Sequence, residues 1–381
     1  MAQQAGRKPT QQRELVGDLR RQIADRHLLP GTGLPSQQAL MQRYRISRQT
    51  AQRALDRLAE EGFVRTEPRR GRFVTRYPPC HHRYGLVFSG HPEPIRSHHW
   101  TRLFAAQLGA ARQFERDGPC QWAPYFNAGP EDEDAQRETH DRLERDLAEH
   151  RLAGLLFTVP PETLGLAERV ARWPVPVVVM GGRPRASRAT LLADRADFLQ
   201  RATGHLVAQG RRQIAWLTQA KEPVDTVMEE VRRVCRVGDV TIRRDWIVPA
   251  HPYHPDWLAH GLEVLLDRPA EHRPDGLVIA DDHLVEPAAH ALAGLDVAVP
   301  DDLAVVGQWN WPLAYTAGVP VHLLGYNACE QLARAAKLLR TGTRGCHRLP
   351  VWTRAEFEGV RGVTIPLIES VEDASAVSCL H

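Results

Sequence analysis

Apolar runs of strand length alternate with helical stretches through most of this chain, from Tyr84 to Val306. Clear examples of the apolar runs are residues 152–159, 175–180 and 276–280. Strands that are buried on both faces are almost continuously apolar, and their alternation with helices favours parallel sheets covered on both sides. The alternation occurs twice, with an interruption near residues 181–195, and this predicts two doubly wound lobes.

The first 77 residues follow a different pattern, which is helical and contains no long apolar run. Leu15, Leu19 and Ile23 recur every four positions and predict one face of an amphipathic helix. Ser36 and Ser47 are predicted N-caps of two further helices, because a serine hydroxyl accepts a hydrogen bond from a free N–H of the first turn. After these helices Pro78-Pro79, which we expect to resist both helix and strand, predicts a linker.

A basic hairpin is predicted between the last of these helices and the linker, since β-like runs at 63–66 and 72–75 flank the turn 68–71. This order is that of a winged helix-turn-helix, whose recognition helix enters the major groove. Arginine and glutamine there can pair with guanine and adenine, and wing arginines suit phosphates or the minor groove. The residues predicted to contact DNA are Ser47, Arg48, Gln49, Thr50, Gln52, Arg53, Arg69, Arg70, Gly71 and Arg72.

The charge distribution agrees with a DNA-binding head. Residues 1–76 hold 16 Lys and Arg and 7 Asp and Glu, a net charge of 16 − 7 = +9. The other residues hold 33 basic and 39 acidic side chains, a net charge of 33 − 39 = −6. A basic head on an acidic body indicates that the head meets a polyanion. Charge alone leaves a merely solvated basic face equally open.

The head also resembles a known family, on four runs that keep their order and spacing: Leu34-Pro-Ser-Gln-Gln-Ala-Leu-Met, Ile46-Ser-Arg-Gln-Thr, Leu58-Ala-Glu-Glu-Gly-Phe-Val and Arg70-Gly-Arg-Phe-Val. Over residues 11–75 they resemble the GntR-family DNA-binding domain. The resemblance implies a homodimer on operator DNA and adds Ser36 to the DNA contacts. Gln37-Gln38 replaces the family's common Glu-Arg, and Gln52 stands where an arginine is usual, so the operator sequence is in doubt. A winged helix used only for protein contacts is the alternative.

The body resembles the effector domain of LacI-type sugar repressors, which is periplasmic-binding-protein-like, type I. The runs that carry this resemblance are Ala193-Asp194, His205-Leu-Val-Ala-Gln-Gly, Arg273-Pro-Asp-Gly-Leu-Val-Ile-Ala-Asp-Asp and Val299-Pro-Asp-Asp-Leu-Ala-Val-Val-Gly. In such folds the ligand lies beyond the carboxyl ends of the strands. The predicted ligand-binding residues are Ser89, Arg96, His98, Trp100, Arg183, Asp194, Lys221, Asp282, Trp309 and Asn310. One departure concerns the arginine that usually clamps the ligand in this family. Its position falls near Thr226 in this chain.

These patterns predict an α/β protein with an N-terminal winged helix and an effector part of two doubly wound parallel-sheet lobes. The predicted boundaries are a DNA-binding domain at 1–77, a linker at 78–83, an effector domain at 84–368 and a tail at 369–381. The predicted first lobe is 84–193 plus 325–348, and the second is 194–324 plus 349–368.

The predicted function is a repressor whose affinity for operator DNA is controlled by a small, sugar-like effector. One alternative is a ligand-independent DNA-binding dimer with a vestigial pocket. Another is an enzyme like the aminotransferase-like GntR relatives, but the chain's lysines, Lys8, Lys221 and Lys337, lie in no cofactor-binding context. We therefore expect neither enzymatic activity nor a cofactor.

The remaining patterns predict a cytoplasmic protein without a metal site. No apolar run approaches the roughly 18 residues of a membrane span, and the six cysteines form no C-x-x-C pair. His81-His82 and His98-His99 are interpreted as surface histidines, because no cysteine or carboxylate stands beside them at metal-site spacing. Asp281-Asp282 is interpreted as a loop carboxylate pair in preference to a catalytic or Mg²⁺ pair.

Overall fold

The computed structural model describes residues 11–91, 102–183, 185, 188–234 and 240–360. They divide into two compact units. The N-terminal unit comprises the described residues of Met1–His99, Ala111–Thr190 and Ala335–Gly345. The C-terminal unit comprises those of Trp100–Ala110, Leu191–Arg334 and Cys346–His381. Among the described helices, none is long and apolar enough to cross a membrane.

The head, residues 11–76, contains three helices and a two-stranded antiparallel sheet. These elements are α1 Gln11–Ala24, α2 Gln37–Tyr44, α3 Arg48–Glu60, β1 Val64–Glu67 and β2 Gly71–Val74. Both predicted caps are confirmed: Ser36 accepts from the backbone N–H of Ala39 at 3.2 Å, and Ser47 accepts from that of Thr50 at 3.1 Å. The short connection between α2 and α3 therefore ends with a satisfied helix N-terminus.

One apolar core holds the three helices of the head together. The predicted stripe of Leu15, Leu19 and Ile23 is confirmed as buried, and it shares this core with Leu55 and Leu58 of α3. Truncating a fully buried leucine such as these typically costs about 2–5 kcal/mol of stability. The polar face of α3 is thereby held away from the core and toward solvent.

An ionic network joins the head to the rest of the N-terminal unit. The Arg20 side chain is only 3% exposed, and its guanidinium pairs with Glu61 of the head and with Glu149 at 3.2 Å. Arg57 and Arg151 also contact Glu149, at 3.2 and 2.8 Å. Because removing one partner from such a network leaves a buried charge uncompensated, these contacts oppose separation of the head from this unit.

The linker forms one helical turn, α4, at Pro79–His82. The expectation that Pro78-Pro79 would resist helix is therefore wrong. Pro79 occupies the first helical position, where its fixed φ angle suits the helix and its missing N–H removes no hydrogen bond. The His81 ring lies 3.1 Å from the carbonyl oxygen of Ile23 in α1. Burial, together with His81 and Arg340, lowers the pKa of His82 to about 4.

The first large sheet has six strands in the order β13-β7-β6-β5-β3-β4. The strands are β3 Arg83–Val87, β4 Gln121–Tyr125, β5 Gly154–Phe157, β6 Val177–Met180, β7 Ala189–Ala193 and β13 Gly345–Leu349. The accompanying helices are α5 Arg102–Asp117, α6 Glu133–Ala148, α7 Ala167–Val170 and α12 Ala328–Thr341. The pairs β3–β4, β3–β5 and β5–β6 are parallel. A parallel sheet is therefore confirmed here, although β7 lies inside the stretch interpreted as an interruption.

The second large sheet has the order β14-β12-β11-β10-β8-β9 and is parallel except for the antiparallel pair β12–β14. Its strands are β8 Ile214–Gln219, β9 Ile247–Ala250, β10 Gly276–Ile279, β11 Ala304–Trp311, β12 His322–Asn327 and β14 Trp352–Thr353. The helices are α8 Arg195–Ala208, α9 Val224–Val234, α10 Pro255–Leu266, α11 Asp282–Ala293 and α13 Arg354–Val360. The predicted class, two parallel-sheet lobes behind a winged helix, is confirmed.

Candidate DNA-reading surface and candidate effector site

The exposed face of α3 carries the side chains predicted to read bases. Arg48, Gln49, Gln52 and Arg53 are all exposed. Three of them have no packing role in the head core, so changing them should alter recognition more than stability. Gln52 differs, because its amide is hydrogen-bonded to Asp56. This surface presents the donors and acceptors that base edges require.

The hydroxyl groups at the start of α3 are already engaged. Ser47 Oγ caps the helix and also lies 2.9 Å from Thr50 Oγ1. These two residues therefore fix how α3 begins. Sequence reasoning missed one further contact: the Gln37 side-chain amide donates to the carbonyl oxygen of Arg48 at 3.0 Å. Gln37 thus ties α2 to the first residue of α3, a tertiary role that its position in the sequence does not signal.

The wing arginines have different surroundings. Arg70 pairs with Glu67 at 2.6 Å and remains 72% exposed, and Arg69 is exposed with a φ of 63°. Gly71 has a φ of 110°, which favours glycine in this turn. Arg72 instead is only 15% exposed and pairs with a carboxylate of α3 at 2.6 Å. Arg69 and Arg70 therefore remain the wing cations best placed for phosphates, whereas Arg72 is engaged within the head.

A polar cluster lies at the carboxyl ends of β10 and β11 in the C-terminal unit. Asp282 is 4% exposed and accepts a hydrogen bond from the Asn310 amide at 2.7 Å. Asn310 is itself 3% exposed, and its Oδ1 has no hydrogen-bond partner among the described residues. The same holds for Thr218 Oγ1 near the end of β8. Buried polar atoms normally have partners, so each of these two atoms, on strands separated by β10, can accept a hydrogen bond from a ligand or a water molecule.

His283 links this cluster to helix α5. Its Nδ1 lies 3.1 Å from an oxygen of Asp281 and 3.1 Å from one of Asp282, while the backbone N–H of Arg102 lies 3.2 Å from its Nε2. Burial lowers the pKa of His283, but the hydrogen bonds that its ring donates to the Asp281 and Asp282 carboxylates outweigh this and raise the pKa to about 9. Only a neutral ring can accept from Arg102. Protonation of His283 and its contact with Arg102 are therefore alternatives.

Asp281, Asp282 and His283 offer ligand atoms within 4.8 Å of one another. Their hydrogen bonds to each other, and those of Asp281 with Gln219 and of Asp282 with Asn310, account for this closeness without an ion. Two carboxylates and an imidazole have the donor types of a metal site. The arrangement adds no separate feature that points to a cation.

Trp309 does not present a free aromatic face. It is 1% exposed, its indole N–H donates to the carbonyl oxygen of Leu313 at 2.8 Å, and it belongs to the core of the C-terminal unit. The Arg102 guanidinium lies over its ring, 4.5 Å from the ring centre, and pairs with Glu286 at 2.8 Å. A sugar could stack on Trp309 only after Arg102 had moved.

The other predicted ligand residues are placed differently. Asp194 caps α8 by accepting from the backbone N–H of Asp197 and pairs with Arg348 at 2.9 Å. Lys221 and Arg183 are exposed, and Thr226 is exposed on α9. Ser89 is half-buried in the N-terminal unit. Three predicted residues lie outside the described residues: Arg96, His98 and Trp100.

An aromatic side chain that sequence reasoning missed lies near the polar cluster. Tyr253 follows β9, is 54% exposed, and lines a groove with Arg102, Asp256, His283 and Glu286. Its signal in the sequence was weak, because a tyrosine between two histidines after a short strand has no distinctive spacing. Its position gives the C-terminal unit an exposed ring that Trp309 does not supply.

Comparisons with known proteins assign both parts of the chain. Residues 11–74 match the bacterial regulatory proteins of the gntR family, and residues 203–348 match the periplasmic binding protein-like domain. The head is therefore similar to GntR-type DNA-binding domains, and the body is similar to periplasmic-binding-protein-like domains. This combination is that of a DNA-binding transcription regulator.

Relatives and solved structures agree with this assignment. The chain is 22% identical, over 84% of its length and 86% of the relative's, to an arabinose metabolism transcriptional repressor of Halalkalibacterium halodurans. It is 28% identical to the repressor PurR of Vibrio parahaemolyticus over 51% of this chain and 60% of PurR. Among solved structures, the match to a LacI regulator of Bacillus cereus subsp. cytotoxis covers 72% of this chain and 96% of that regulator. Its TM-score is 0.54 and the sequence identity is 15%. A second structure is that of a Lactobacillus casei LacI-family regulator with bound sucrose. The match covers 71% of this chain and 98% of that regulator, with a TM-score of 0.50 and 18% sequence identity.

Proposed function

We propose that the protein is a transcriptional repressor whose affinity for operator DNA is controlled by a small, sugar-like effector. The observation that carries the proposal is the joining of a base-reading helix with exposed Arg48, Gln49 and Arg53 to a periplasmic-binding-protein-like body. We also propose a cytoplasmic location, because a repressor acts where operator DNA is. Its role is binding, and we propose no enzymatic activity.

The effector site that we propose is the polar cluster of the C-terminal unit. A sugar hydroxyl can donate to the free Oδ1 of Asn310 or to Thr218, and the Asp282 carboxylate can accept from others. The exposed ring of Tyr253 can cover an apolar sugar face. Support for a sugar comes from the arabinose repressor among the relatives and from the sucrose held by the Lactobacillus casei regulator.

The protein acts in this proposal as a homodimer that reads two half-sites. One apolar helix face supports it: Trp257 and Val264 lie seven residues apart on α10 and are 56% and 50% exposed. A second copy of the chain would cover this face, since large exposed apolar patches mark protein contacts. The ligand then alters operator affinity only as far as it binds two conformations of the dimer differently.

A ligand-independent regulator is the second candidate, and it also has an observation in its favour. Asp282, Asn310 and His283 are hydrogen-bonded to one another, and Trp309 is buried under Arg102. Such internal pairing could satisfy a pocket that no longer binds anything. The two candidates share the DNA-binding function and differ only in the effector.

The two halves of the proposal are tested separately. For the DNA half, full-length protein is titrated against duplex DNA from upstream of its own gene and against a scrambled duplex at one stated salt concentration. We expect the native duplex to bind at least about 1,000-fold more tightly, the lower end of specific recognition; equal affinities would overturn it. For the effector half, thermal unfolding is followed with a panel of mono- and disaccharides. A sugar that stabilises the wild type, but not Asn310→Ala, supports the site, and no stabilisation by any sugar favours the ligand-independent candidate.

A further inference from the structure

Asp56 stands on the DNA-reading face of α3 and contacts two elements at once. Its carboxylate oxygens lie 2.8 and 3.0 Å from the Gln52 side-chain nitrogen, one helical turn earlier. One of the same oxygens lies 2.6 Å from the Arg72 guanidinium in the wing. A single carboxylate thus joins the recognition helix to the wing.

A carboxylate at this position is costly for binding a polyanion. Asp56 is 47% exposed and would repel DNA phosphates. It also lies beyond the first turn of α3. A negative charge interacts favourably with the helix dipole only within that first turn, so Asp56 gains no such stabilisation. The Arg72 charge compensates it, and Thr66 receives a further hydrogen bond from Arg72 at 3.4 Å. This arrangement uses a wing arginine to neutralise an acid of α3 when the arginine could have bound a phosphate, which indicates that the acid has a function of its own.

The function follows from what the carboxylate does to the Gln52 amide. An ionised carboxylate only accepts hydrogen bonds, so the amide nitrogen must face Asp56 and the amide oxygen must point away. Both carboxylate oxygens lie on one side of the Gln52 nitrogen and share one N–H, so the second N–H and the amide oxygen have no partner among the described residues. Adenine presents an acceptor, N7, beside a donor, the N6 amino group, and matches this pair. Guanine presents two acceptors, N7 and O6, so the fixed amide oxygen would face an acceptor.

We propose that Asp56 is a positioning residue that orients Gln52 to read adenine and holds Arg72 in the wing at a fixed distance from α3. This inference rests on the proposed operator binding and goes beyond it by assigning a base preference. It also assigns phosphate contacts of the wing to Arg69 and Arg70, because both are exposed, whereas the Arg72 side chain is 15% exposed and paired with Asp56.

The test begins with sequences that wild-type full-length protein selects from a randomised duplex library. Each adenine of the selected half-site is then replaced in turn by 7-deazaadenine, which lacks the N7 acceptor. For one adenine we expect about a tenfold loss of wild-type affinity, the size of a good bidentate base contact. Gln52→Ala should show no such penalty at that adenine. Asp56→Asn should lower it to about threefold or less, since an asparagine amide can donate as well as accept and no longer fixes Gln52.

A matched control separates orientation from charge. Glu60 is exposed on the same helix, and Glu60→Gln removes the same negative charge. This variant should keep the full tenfold penalty at the adenine. Both acidic-residue variants should gain a similar, sequence-independent affinity from reduced repulsion. Unfolding curves of each variant identify any loss that comes from a damaged fold.

A second pair of variants keeps the inference testable if Asp56→Asn folds poorly. Arg72→Gln leaves Asp56 uncompensated on the DNA face and should weaken binding to the selected site, and adding Asp56→Asn to it should restore affinity. An unchanged adenine penalty in Asp56→Asn, or a selected site without an adenine that depends on Gln52, would overturn the inference and leave operator binding intact. Selection of no sequence at all would remove the proposed function together with the inference.

Discussion

The DNA-reading face of the head and the polar cluster of the C-terminal unit use similar residue types in opposite ways. Arg48, Gln49 and Arg53 extend into solvent from a helix that is complete without them. Asp282 and Asn310, by contrast, are 4% and 3% exposed and bonded to each other. A side chain that reads DNA stays hydrated until the partner arrives, whereas Asp282 and Asn310 are removed from water and depend on each other, with the Asn310 Oδ1 left without a partner among the described residues.

The two regions differ in whether a mutation can change recognition without changing stability. At the exposed face, recognition and stability are separable, because truncation leaves no buried group without a partner. At the buried cluster they are coupled, because each polar group is another's hydrogen-bond partner.

The largest effect is expected at the exposed face. Replacing both Arg48 and Arg53 by alanine should weaken specific DNA binding by about 100-fold or more, because each good side-chain–base pair contributes about 1–3 kcal/mol. The free energy of unfolding should change by no more than about 0.5 kcal/mol per substitution. Fluorescence anisotropy and urea unfolding measure the two quantities.

The control for this double variant is Arg137→Ala, which removes an exposed arginine from helix α6. It should leave specific binding unchanged within error. If Arg137→Ala weakened binding as strongly as the double variant, general charge and not base reading would explain the affinity.

A smaller effect, now on stability, is expected at the buried cluster. Asp282→Ala leaves the Asn310 amide and His283 without this acceptor and should lower the free energy of unfolding by about 1–3 kcal/mol. DNA affinity without ligand should be unchanged. Asp256→Ala, which removes an exposed acid from α10, is the matched control and should cost less than about 0.5 kcal/mol. Equal losses in the two variants would contradict the coupling.

The smallest effects are expected in the pH dependence of unfolding, and they have opposite signs in the two units. The pKa of His283 is raised to about 9, so folding favours its protonated form. This stabilisation is complete below about pH 6.5 and is lost as the pH rises toward 9, with a slope of at most about 1.4 kcal/mol per pH unit. His283→Gln should remove that slope, and an unchanged slope would show that the carboxylates do not hold the proton there.

His82 should show the reverse behaviour in the N-terminal unit. Burial, with His81 and Arg340, lowers its pKa to about 4, so folding favours the neutral ring. The stabilisation is present above about pH 6.5 and is lost as the pH falls toward 4, again with a slope of at most about 1.4 kcal/mol per pH unit. His82→Gln should flatten this acid limb of the unfolding profile while leaving the alkaline limb of His283 intact.

The features that could be predicted from the sequence depend on local patterns. The stripe of Leu15, Leu19 and Ile23 and the caps Ser36 and Ser47 follow from helical spacing and first-turn hydrogen bonding, and the structure confirms them. The alternation of apolar runs and helices correctly predicted two parallel sheets. These features need only neighbours in the chain, so a single sequence contains them.

The features that could not be predicted depend on contacts between distant residues. The sequence does not show that Arg72 would pair with Asp56, or that Gln37 would reach the Arg48 carbonyl. Trp309 is predicted from the sequence to bind a ligand just beyond the end of a strand. In the structure Arg102 covers its ring, because the start of α5 belongs to the C-terminal unit. In the linker, the expectation that Pro78-Pro79 resists a helix fails at Pro79. Proline at the first helical position is compatible with a helix.

The affinity for operator DNA, measured with and without a sugar, tests whether the C-terminal cluster controls the DNA-reading face. The affinity of the full-length protein for its upstream DNA is measured at fixed salt, with and without the sugar that best stabilises it, for the wild type and for Asp282→Ala. We expect the sugar to weaken wild-type binding by about tenfold or more, a coupling of about 1.4 kcal/mol, and to leave binding by Asp282→Ala unchanged. Equal weakening in both proteins, or none in the wild type, would contradict it.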